Sequence, residues 1–535
     1  MKLIYNDKYP EIDRNMSDCQ MGGRKGKGCR NNIFIINGII HEVMKSKKMK
    51  PVLFQVYDYA QMFDSIDLEQ AIIDVYDSGL RDDNLSLVYK ANEEIHVAVN
   101  TPSGLSERQV LRNIVLQGDT WGSILASVQV DSIGKECAST GYGYKYKDIL
   151  PVSLLGLVDD TIGVTEAGYK AQQMNAFFNI KTAEKGLQFG PSKCKTILVG
   201  KATEKVLNSE LTVDSWKVTV EDNLETGETD FLETYEGQIS IGKTDKTKYL
   251  GFTISNRGDN LVNITELKNK SIGVIRSIFN RLESLHLKKY YFECGMLFMN
   301  IMLRPSILYA CETYYNLKES EIRQIERIEE GYMRRLLKTT KGCPINQLYF
   351  ELGQIPARFE ILKLRLLFLK YILDQEEESL INKFFKLQIQ QPTKGDWGST
   401  CISNLSELNM NLSLEEIKSM PKQRFKNILK QKILREAFEY LVRKKKGTKG
   451  KEIEYEELKM ADYLLPNNII LSIENQRNIF AIRNMMVNIP ANFSSQQKAT
   501  GVVKCICGQI ENMKHIYSCN YLNSDSEVHE YGKKI

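Results

Sequence analysis

The sequence predicts an α+β protein in which a mixed first half is followed by a largely helical second half. Up to about residue 258, short apolar runs such as "PVLFQVY" and "SLLGLV" alternate with stretches at helical spacing. From about 262 to 375 the periodicity is helical alone, most clearly in "ESEIRQIERIEEGYMRRLLK". With 535 residues, 42% of them hydrophobic, the chain is long enough for two to four domains with sizeable cores.

Charge and cysteine content limit the classes of protein to consider. The formal net charge of +5 permits a polyanionic partner without requiring one. Eleven scattered cysteines, the charged start "MKLIYNDKYPEIDR" and the absence of an 18-residue uncharged apolar window indicate an intracellular protein with reduced thiols. We therefore expect a nuclear or cytoplasmic location and neither secretion nor membrane insertion.

The individual elements follow from local patterns. A flexible glycine-rich loop, "QMGGRKGKGCRNN", is expected to lead into a helix, and "PVLFQVYDYAQMF" reads as a buried strand that ends in a turn. Helices are predicted in "DLEQAIIDVYDSG", after "LQGDTWGS" and in "AQQMNAFFNIKTAEKG", and strands in "KCKTILVG" and between about 205 and 255. Residues 376 to 412, which contain "QQPTKGDWGST", are expected to form a looser connection.

Two adjacent carboxylates stand inside the apolar hairpin "SLLGLVDDTIGV". Asp159 and Asp160 would repel each other by roughly 4 kcal/mol at 4 Å and an effective dielectric of about 20, so a buried pair requires a compensating charge. Asp58 is a third carboxylate, at the end of a predicted strand. If the two strands are neighbours, these oxygen ligands could share two Mg²⁺ ions, which is the arrangement used for nucleotidyl transfer. A solvated turn is the alternative for the dipeptide taken alone.

Six blocks in fixed order carry a resemblance to a known family. They are "QMGGRKGKGCRNNIF", "VYDYAQMFD", "LQGDTWGSILAS", "LVDDTIGV", "GLQFGPSKCKT" and "YLGFTIS". Together they resemble the reverse transcriptase domain of non-LTR (LINE-type) retrotransposons. The resemblance implies a right-hand polymerase of fingers, palm and thumb with a ferredoxin-like palm. It also implies RNA-directed DNA polymerase activity with RNA template, DNA primer or target, and dNTPs as partners.

The same resemblance assigns roles to individual residues. The implied catalytic residues are Asp58, Asp159, Asp160 and Lys193, of which the three aspartates would bind two Mg²⁺ ions. The implied substrate-binding residues are Phe63, Gln117, Gly118, Tyr249 and Gly251. Phe63 would be the steric gate against a 2′-hydroxyl, Gln117 and Gly118 would support template and nucleotide, and the last two would belong to the primer grip. Phe63 as an ordinary core aromatic and Lys193 as a surface lysine remain alternatives, and Lys195 competes for the lysine's role.

The domain boundaries follow the blocks. We expect partial fingers at 1–48, a palm with the primer-grip hairpin at 49–258, a helical thumb or connection at 259–400, a basic helical linker at 401–500 and a zinc-knuckle-like tail at 501–535. Only about twenty residues precede the first block, whereas further fingers strands precede it in the family. The sequence is therefore expected to be N-terminally truncated, without an upstream endonuclease.

The C-terminal part contains two further candidate binding features. The segment from Lys418 to Lys451 contains 13 Lys or Arg and two acids, which suits contacts with a phosphate backbone, a nuclear localisation signal or simply a solvated helix face. The proposed zinc ligands are Cys505, Cys507, His515 and Cys519. The C-x-C spacing is tighter than usual, and four unrelated residues are the alternative.

Two rivals to the polymerase hypothesis are kept. A non-catalytic nucleic-acid-binding remnant of a retroelement would keep the palm fold and the Cys/His tail without turnover. A group II intron maturase or another palm polymerase would fit the aspartates but fits the first block and the tail less well.

Overall fold

The computed structural model describes residues 2–45, 50–112, 115–116, 118–119, 121–201, 210–222, 229–284, 288–340, 342–445, 455–466 and 471–484. The chain divides into two compact units. Unit 1 comprises residues 1–263, 313–316 and 371–403, and unit 2 comprises 264–312, 317–370 and 404–535. In the described residues no helix is long and apolar enough to cross a membrane.

Unit 1 is mixed, as the alternation of patterns predicts. Its helices before residue 263 include α1 (Lys2–Asn15), α2 (Cys29–Lys45), α3 (Met62–Ser65), α4 (Leu68–Asp77), α5 (Asp82–Glu93), α6 (Gly122–Ser139) and α7 (Tyr169–Glu184). Its strands are β1 (Val52–Tyr57), β2 (Glu94–Val97), β3 (Asn100–Thr101), β4 (Gly104–Leu105), β5 (Gln109–Arg112), β6 (Tyr144–Tyr146), β7 (Leu150–Val152), β8 (Leu154–Leu157), β9 (Asp160–Glu166), β10 (Lys195–Val199), β11 (Thr212–Asp222), β12 (Thr229–Ser240), β13 (Gly242–Lys243), β14 (Lys246–Tyr249) and β15 (Phe252–Ser255).

A five-stranded sheet in the order β13-β10-β1-β9-β8 is the centre of unit 1. β1 pairs antiparallel with both β9 and β10, which makes it an interior strand. Its sequence "VLFQVY" suits that position because β-branched and aromatic residues pack well between covered sheet faces. Val52 and Phe54 are fully buried. β1, which ends one residue before Asp58, and β9, which begins at Asp160, are therefore neighbours.

Residues 376–412 are not a loose connection. They contain α14 (Leu380–Gln390) and α15 (Trp397–Glu407), separated by the proline and glycine of "QPTKGD". Phe384 on α14 and Trp397 on α15 pack edge-on against Phe34 of α2, with ring centroids 5.7 and 5.0 Å apart. The prediction was wrong because the turn residues of "QPTKGD" interrupt two helices of only 11 residues each, which are stabilised by tertiary burial.

Unit 2 is helical. Its main helices are α8 (Leu261–Ser284), α9 (Tyr291–Phe298), α10 (Arg304–Ile307), α11 (Glu319–Leu336), α12 (Ile345–Glu351), α13 (Ala357–Leu373), α16 (Leu414–Ser419), α17 (Lys422–Lys445) and α18 (Ile473–Arg483). The ends of α8, α13 and α15 extend across the unit boundaries. In α11, acids in the first turn and two arginines in the last turn complement the helix dipole.

A buried carboxyl on α2 makes the stability of unit 1 depend on pH. Burial raises the pKa of Glu42 to about 7, although the Tyr144 hydroxyl and the Lys147 amide both donate hydrogen bonds to it, at 3.1 and 2.9 Å. The folded chain therefore keeps a proton that the unfolded chain loses near pH 4.5. The stabilisation that protonated Glu42 gives the folded chain is fully present below pH 4.5 and is lost as the pH rises through about 7.

We expect Glu42→Gln to remove this pH dependence. Over the window from pH 4.5 to 7 the wild-type chain should lose about 3 kcal/mol of unfolding free energy that the variant keeps, at about 1.4 kcal/mol per pKa unit. Urea unfolding of both chains at several pH values measures the difference. Burial lowers the pKa of neighbouring His41, so this histidine makes the unfolding free energy change with pH in the opposite direction. The wild-type chain and the variant share that effect, so it does not alter the difference between them. If the unfolding free energies of the two chains changed with pH in parallel, the prediction would be contradicted.

Candidate active site

The three aspartates lie at one end of the central sheet. In the antiparallel pairing of β1 with β9, Tyr57 lies opposite Thr161. Asp58, which follows Tyr57 in the chain, and Asp160, which precedes Thr161, therefore lie at the same end of this strand pair. Asp159 occupies the turn between β8 and β9, directly after Val158, whose φ is 59°. Both Asp159 and Asp160 are solvent-exposed, and the Asp58 side chain is 38% exposed. The sheet therefore delivers three carboxylates to one accessible edge.

The carboxylates influence one another electrostatically. The pKa of Asp160 is raised, first by partial desolvation of its carboxyl group by the surrounding protein and then by the negative charges of Asp159 and Asp58. Like charges at this edge disfavour ionisation of Asp160, and a bound cation would relieve the repulsion. Carboxylate oxygens are the ligands that Mg²⁺ prefers, so the donor chemistry fits that ion. In the part of the chain that the structure describes, however, no group of three Asp, Glu, His or Cys side chains converges on one ion position.

Lys193 places a cation at this edge, beside Asp58. Its Nζ lies 3.2 Å from Oδ1 of Asp58, and the lysine side chain is 70% exposed. A turn positions it, because the Gly190 amide donates to the Asp58 carbonyl at 2.8 Å and the Lys193 amide donates to the Gly190 carbonyl at 2.9 Å. Lys195, the competing candidate, instead donates to the Ser192 carbonyl at 2.9 Å. Of the two candidates, Lys193 is thus the lysine that lies beside Asp58.

The remaining predicted substrate-binding residues lie in unit 1 with varied exposure. Phe63 is half-buried on α3 and packs against the core. Gly118 has a φ of 94°, a conformation that favours glycine, while Gln117 lies outside the described residues. The β14–β15 turn contains Leu250 and Gly251 with φ values of 51° and 73°, so the turn itself already requires the glycine.

Tyr249 is buried beneath the aspartate hairpin. Only 2% of it is exposed, and its hydroxyl donates to the Leu155 carbonyl at 2.9 Å, with the Asp160 carbonyl 3.4 Å away. The Asn32 side-chain amide donates to the same hydroxyl at 3.2 Å and to the Gly156 carbonyl at 3.0 Å. Tyr249 therefore links the β14–β15 hairpin to the strands that carry Asp160.

Sequence reasoning missed the residues that hold the β8–β9 hairpin, which carries Asp159 and Asp160. Asn32 and Gln20 are fully buried and bond to its backbone, although both belong to the block "QMGGRKGKGCRNNIF". The available signal was a pair of amide side chains within a glycine-rich block next to an apolar helix. The four proposed zinc ligands, Cys505, Cys507, His515 and Cys519, lie outside the described residues.

The geometry agrees with the result of a comparison with known families. Residues 3–254 match the family model described as "Reverse transcriptase (RNA-dependent DNA polymerase)". The chain contains a reverse transcriptase domain. This is the domain of RNA-directed DNA polymerases, and it includes every predicted catalytic and substrate-binding residue.

Solved structures with similarity to this chain include three telomerases. Apo telomerase from Candida tropicalis is 12% identical with a TM-score of 0.33, covering 80% of this chain and 59% of that chain. Telomerase from Candida albicans with a fragment of telomeric RNA is 12% identical with a TM-score of 0.30, covering 78% and 56%. C. tropicalis telomerase truncated from its C-terminal domain is 13% identical with a TM-score of 0.27, covering 43% and 44%. The chain thus spans about half the length of these proteins. No curated protein matches it.

Proposed function

We propose that this chain is the reverse transcriptase of a non-LTR retrotransposon, extending a primer 3′-hydroxyl with dNTPs on an RNA template. One observation carries the proposal: Asp58, Asp159 and Asp160 lie at one accessible sheet edge inside the reverse transcriptase domain. The sequence blocks described above favour the non-LTR type. The reaction would take place in the nucleus or cytoplasm, where template RNA and dNTPs occur.

Two Mg²⁺ ions are the proposed cofactor. Asp58, Asp159 and Asp160 would hold them, and the bound ions would supply charge neutralisation for the phosphoryl group and activation of the primer hydroxyl. The negative charges of Asp159 and Asp58, which contribute after burial to the raised pKa of Asp160, support this, because a cation would relieve their repulsion. The chain itself contributes the exposed carboxylates and the ammonium group of Lys193 beside Asp58.

Around that centre the proposal assigns the remaining residues. Phe63 would exclude a nucleotide 2′-hydroxyl, and Gly118 would let backbone approach the template and the nucleotide. Gly251 would do the same at the primer end. These roles depend on the position of a bound substrate.

The helical second unit would act as a thumb and a nucleic-acid-binding extension. In α17 the residues Phe425, Leu429, Ile433, Ala437 and Leu441 are buried at four-residue spacing. The basic residues of the same helix that are exposed are Lys422, Arg424, Lys426, Lys430, Arg435, Arg443 and Lys444. Such a face suits sequence-independent contacts with a phosphate backbone, and a zinc knuckle in the tail would add to them.

The full-length chain with poly(rA), oligo(dT), dTTP and Mg²⁺ tests the proposed activity. We expect incorporation of dTMP that requires the RNA template and Mg²⁺. UTP in place of dTTP should give little product if Phe63 acts as the gate. Absence of any metal-dependent incorporation would overturn the proposal.

Lys193 provides a sharper prediction within the same assay. A cation beside the carboxylates can stabilise the negative charge of leaving pyrophosphate, so we expect Lys193→Gln to lower kcat by about 10- to 100-fold. Lys195→Gln is the matched control, because that lysine is two residues away and bonds to Ser192. Steady-state kinetics in dTTP measures both. Equal effects, or a larger loss for Lys195→Gln, would contradict the assignment.

A second candidate is a nucleic-acid-binding protein without turnover. It is favoured by the observation that, among the described residues, the carboxylates do not converge on one ion position. That protein would bind RNA or DNA but show no Mg²⁺-dependent affinity for dNTPs. Nucleotide titration with and without Mg²⁺ distinguishes it from a polymerase.

A further inference from the structure

The segment 19–22 lies beside the strand that leads into the aspartate turn. Gln20 forms a parallel bridge with Gly156 of β8. The Gly156 amide donates to the Cys19 carbonyl at 2.6 Å, and the Met21 amide donates to the Gly156 carbonyl at 2.9 Å. These backbone bonds fix the position of Gln20, which is fully buried.

The Gln20 side chain bonds to both backbone polar groups of Val158. Its Nε2 donates to the Val158 carbonyl at 3.1 Å, and its Oε1 accepts from the Val158 amide at 2.9 Å. The same oxygen accepts from the Gly22 amide at 2.7 Å. The glutamine amide therefore holds the peptide groups on both sides of Val158. The second of these peptide groups joins Val158 to Asp159.

Val158 is in a conformation that its side chain disfavours. Its φ of 59° lies in the left-handed region, which is rare for a β-branched residue. Such conformations persist where surrounding groups hold them, and they concentrate at functional sites. Gly22 leaves the space for this contact, because a Cβ there would lie 2.3 Å from the Val158 nitrogen.

A buried arginine holds the segment in turn. The Arg24 guanidinium donates to the carbonyls of Gln20 and Asp13, at 3.0 and 2.7 Å, and to the Asp13 carboxylate at 2.5 Å. The same arginine also donates to the Ser17 carbonyl. The block "QMGGR" is therefore built as a support, with Arg24 holding the Gln20 backbone and Gln20 holding Val158.

We propose that Gln20 is a positioning residue for the carboxylates of Asp159 and Asp160. By bonding to both sides of Val158 it holds that residue at positive φ and so sets where the two aspartates leave the turn. Its effect on turnover rests on the proposed polymerase function. Its effect on the turn itself does not.

The test replaces Gln20 with methionine, which has nearly the same shape but removes the two hydrogen bonds to Val158 and the one from the Gly22 amide. Gln388→Met is the matched control. Gln388 is equally buried in unit 1, donates to the Tyr315 hydroxyl at 2.6 Å and accepts from the Gly398 amide at 3.0 Å. We expect Gln20→Met to lower kcat by about 10- to 100-fold with little change in the KM for dTTP, as a displaced reacting group does. Gln388→Met should keep the wild-type kcat.

A rescue experiment separates positioning from general stability. Glycine adopts positive φ without strain, so adding Val158→Gly to Gln20→Met should restore a large part of the lost kcat. Failure of this rescue, or equal kcat values for Gln20→Met and Gln388→Met, would overturn the proposal. If Gln20→Met does not fold, Gln20→Glu takes its place, since a carboxylate keeps the acceptor and loses the donor.

Amide hydrogen exchange gives a readout that needs no activity. The Val158 amide should be protected in the wild-type chain, exchange at least tenfold faster in Gln20→Met and remain protected in Gln388→Met. If the wild-type chain lacks polymerase activity but shows this pattern, the proposed function fails and the contact with the turn stands. Unchanged exchange in Gln20→Met would overturn the positioning role even in an active enzyme.

Discussion

Asp159→Asn is expected to reduce Mg²⁺-dependent dTMP incorporation by about a thousandfold or more, equivalent to ~4 kcal/mol of transition-state stabilisation. Asparagine keeps the size of the side chain but lacks its negative charge, so it is a poor ligand for Mg²⁺. The turn should be retained, because asparagine tolerates a wide range of backbone conformations. Primer extension on poly(rA) with oligo(dT), under single-turnover conditions, measures the effect.

Asp77→Asn is the matched control for this substitution. Asp77 is an exposed aspartate at the C-terminal end of α4, in the same unit but outside the carboxylate group. Its replacement should leave the rate within a factor of about two, as is usual for surface positions. Wild-type activity in Asp159→Asn would remove Asp159 from the catalytic residues.

The largest expected effect on stability concerns Trp397. This side chain is fully buried and packs edge-on against Phe34 and Phe385, with ring centroids 5.0 and 6.1 Å apart. Truncation to alanine leaves a large cavity, so Trp397→Ala should lower the unfolding free energy of unit 1 by about 3–5 kcal/mol. Calorimetry of the full chain, combined with hydrogen exchange of peptides from residues 380–403, locates the loss.

Ile402→Ala on the same helix is the control. Ile402 is 43% exposed, so its truncation should cost less than about 1 kcal/mol. A Trp397→Ala effect as small as that of Ile402→Ala would mean that residues 376–412 are the loose connection that their sequence predicts. The comparison therefore tests the main difference between the pattern and the structure.

Sequence patterns predicted the main strands of the central sheet in unit 1 and the amphipathic helix α11 in unit 2 because those patterns are local. The apolar run of β1, the hairpin at residues 153–164 and the amphipathic periodicity of α11 can each be recognised within a dozen or so residues. Helices α14 and α15 were missed since their stability comes from aromatic contacts with Phe34 of α2, and Phe384, the nearer partner in sequence, lies 350 residues later in the chain. α1 was also missed, because its sequence "KLIYNDKYPEIDRN" is mostly polar and has Pro10 in its interior.

The candidate site divides in the same way. Asp58, Asp159 and Asp160 could be chosen from sequence because carboxylates next to apolar strands are visible without a structure. The choice between Lys193 and Lys195 required the turn at Gly190, which brings only the former to Asp58. The buried position of Tyr249 required the contact of the β14–β15 hairpin with Leu155, 94 residues away.

By itself, the sequence determined the α+β class, the strand ends that carry the carboxylates and the resemblance to reverse transcriptases. Each of these depends on residue type and on neighbours along the chain. Only the tertiary structure decided that Gln20 bonds to Val158, 138 residues away, and that this contact accompanies a strained backbone before Asp159. Contacts of that kind depend on strand order and register, which are set by burial of the whole sheet rather than by any local pattern.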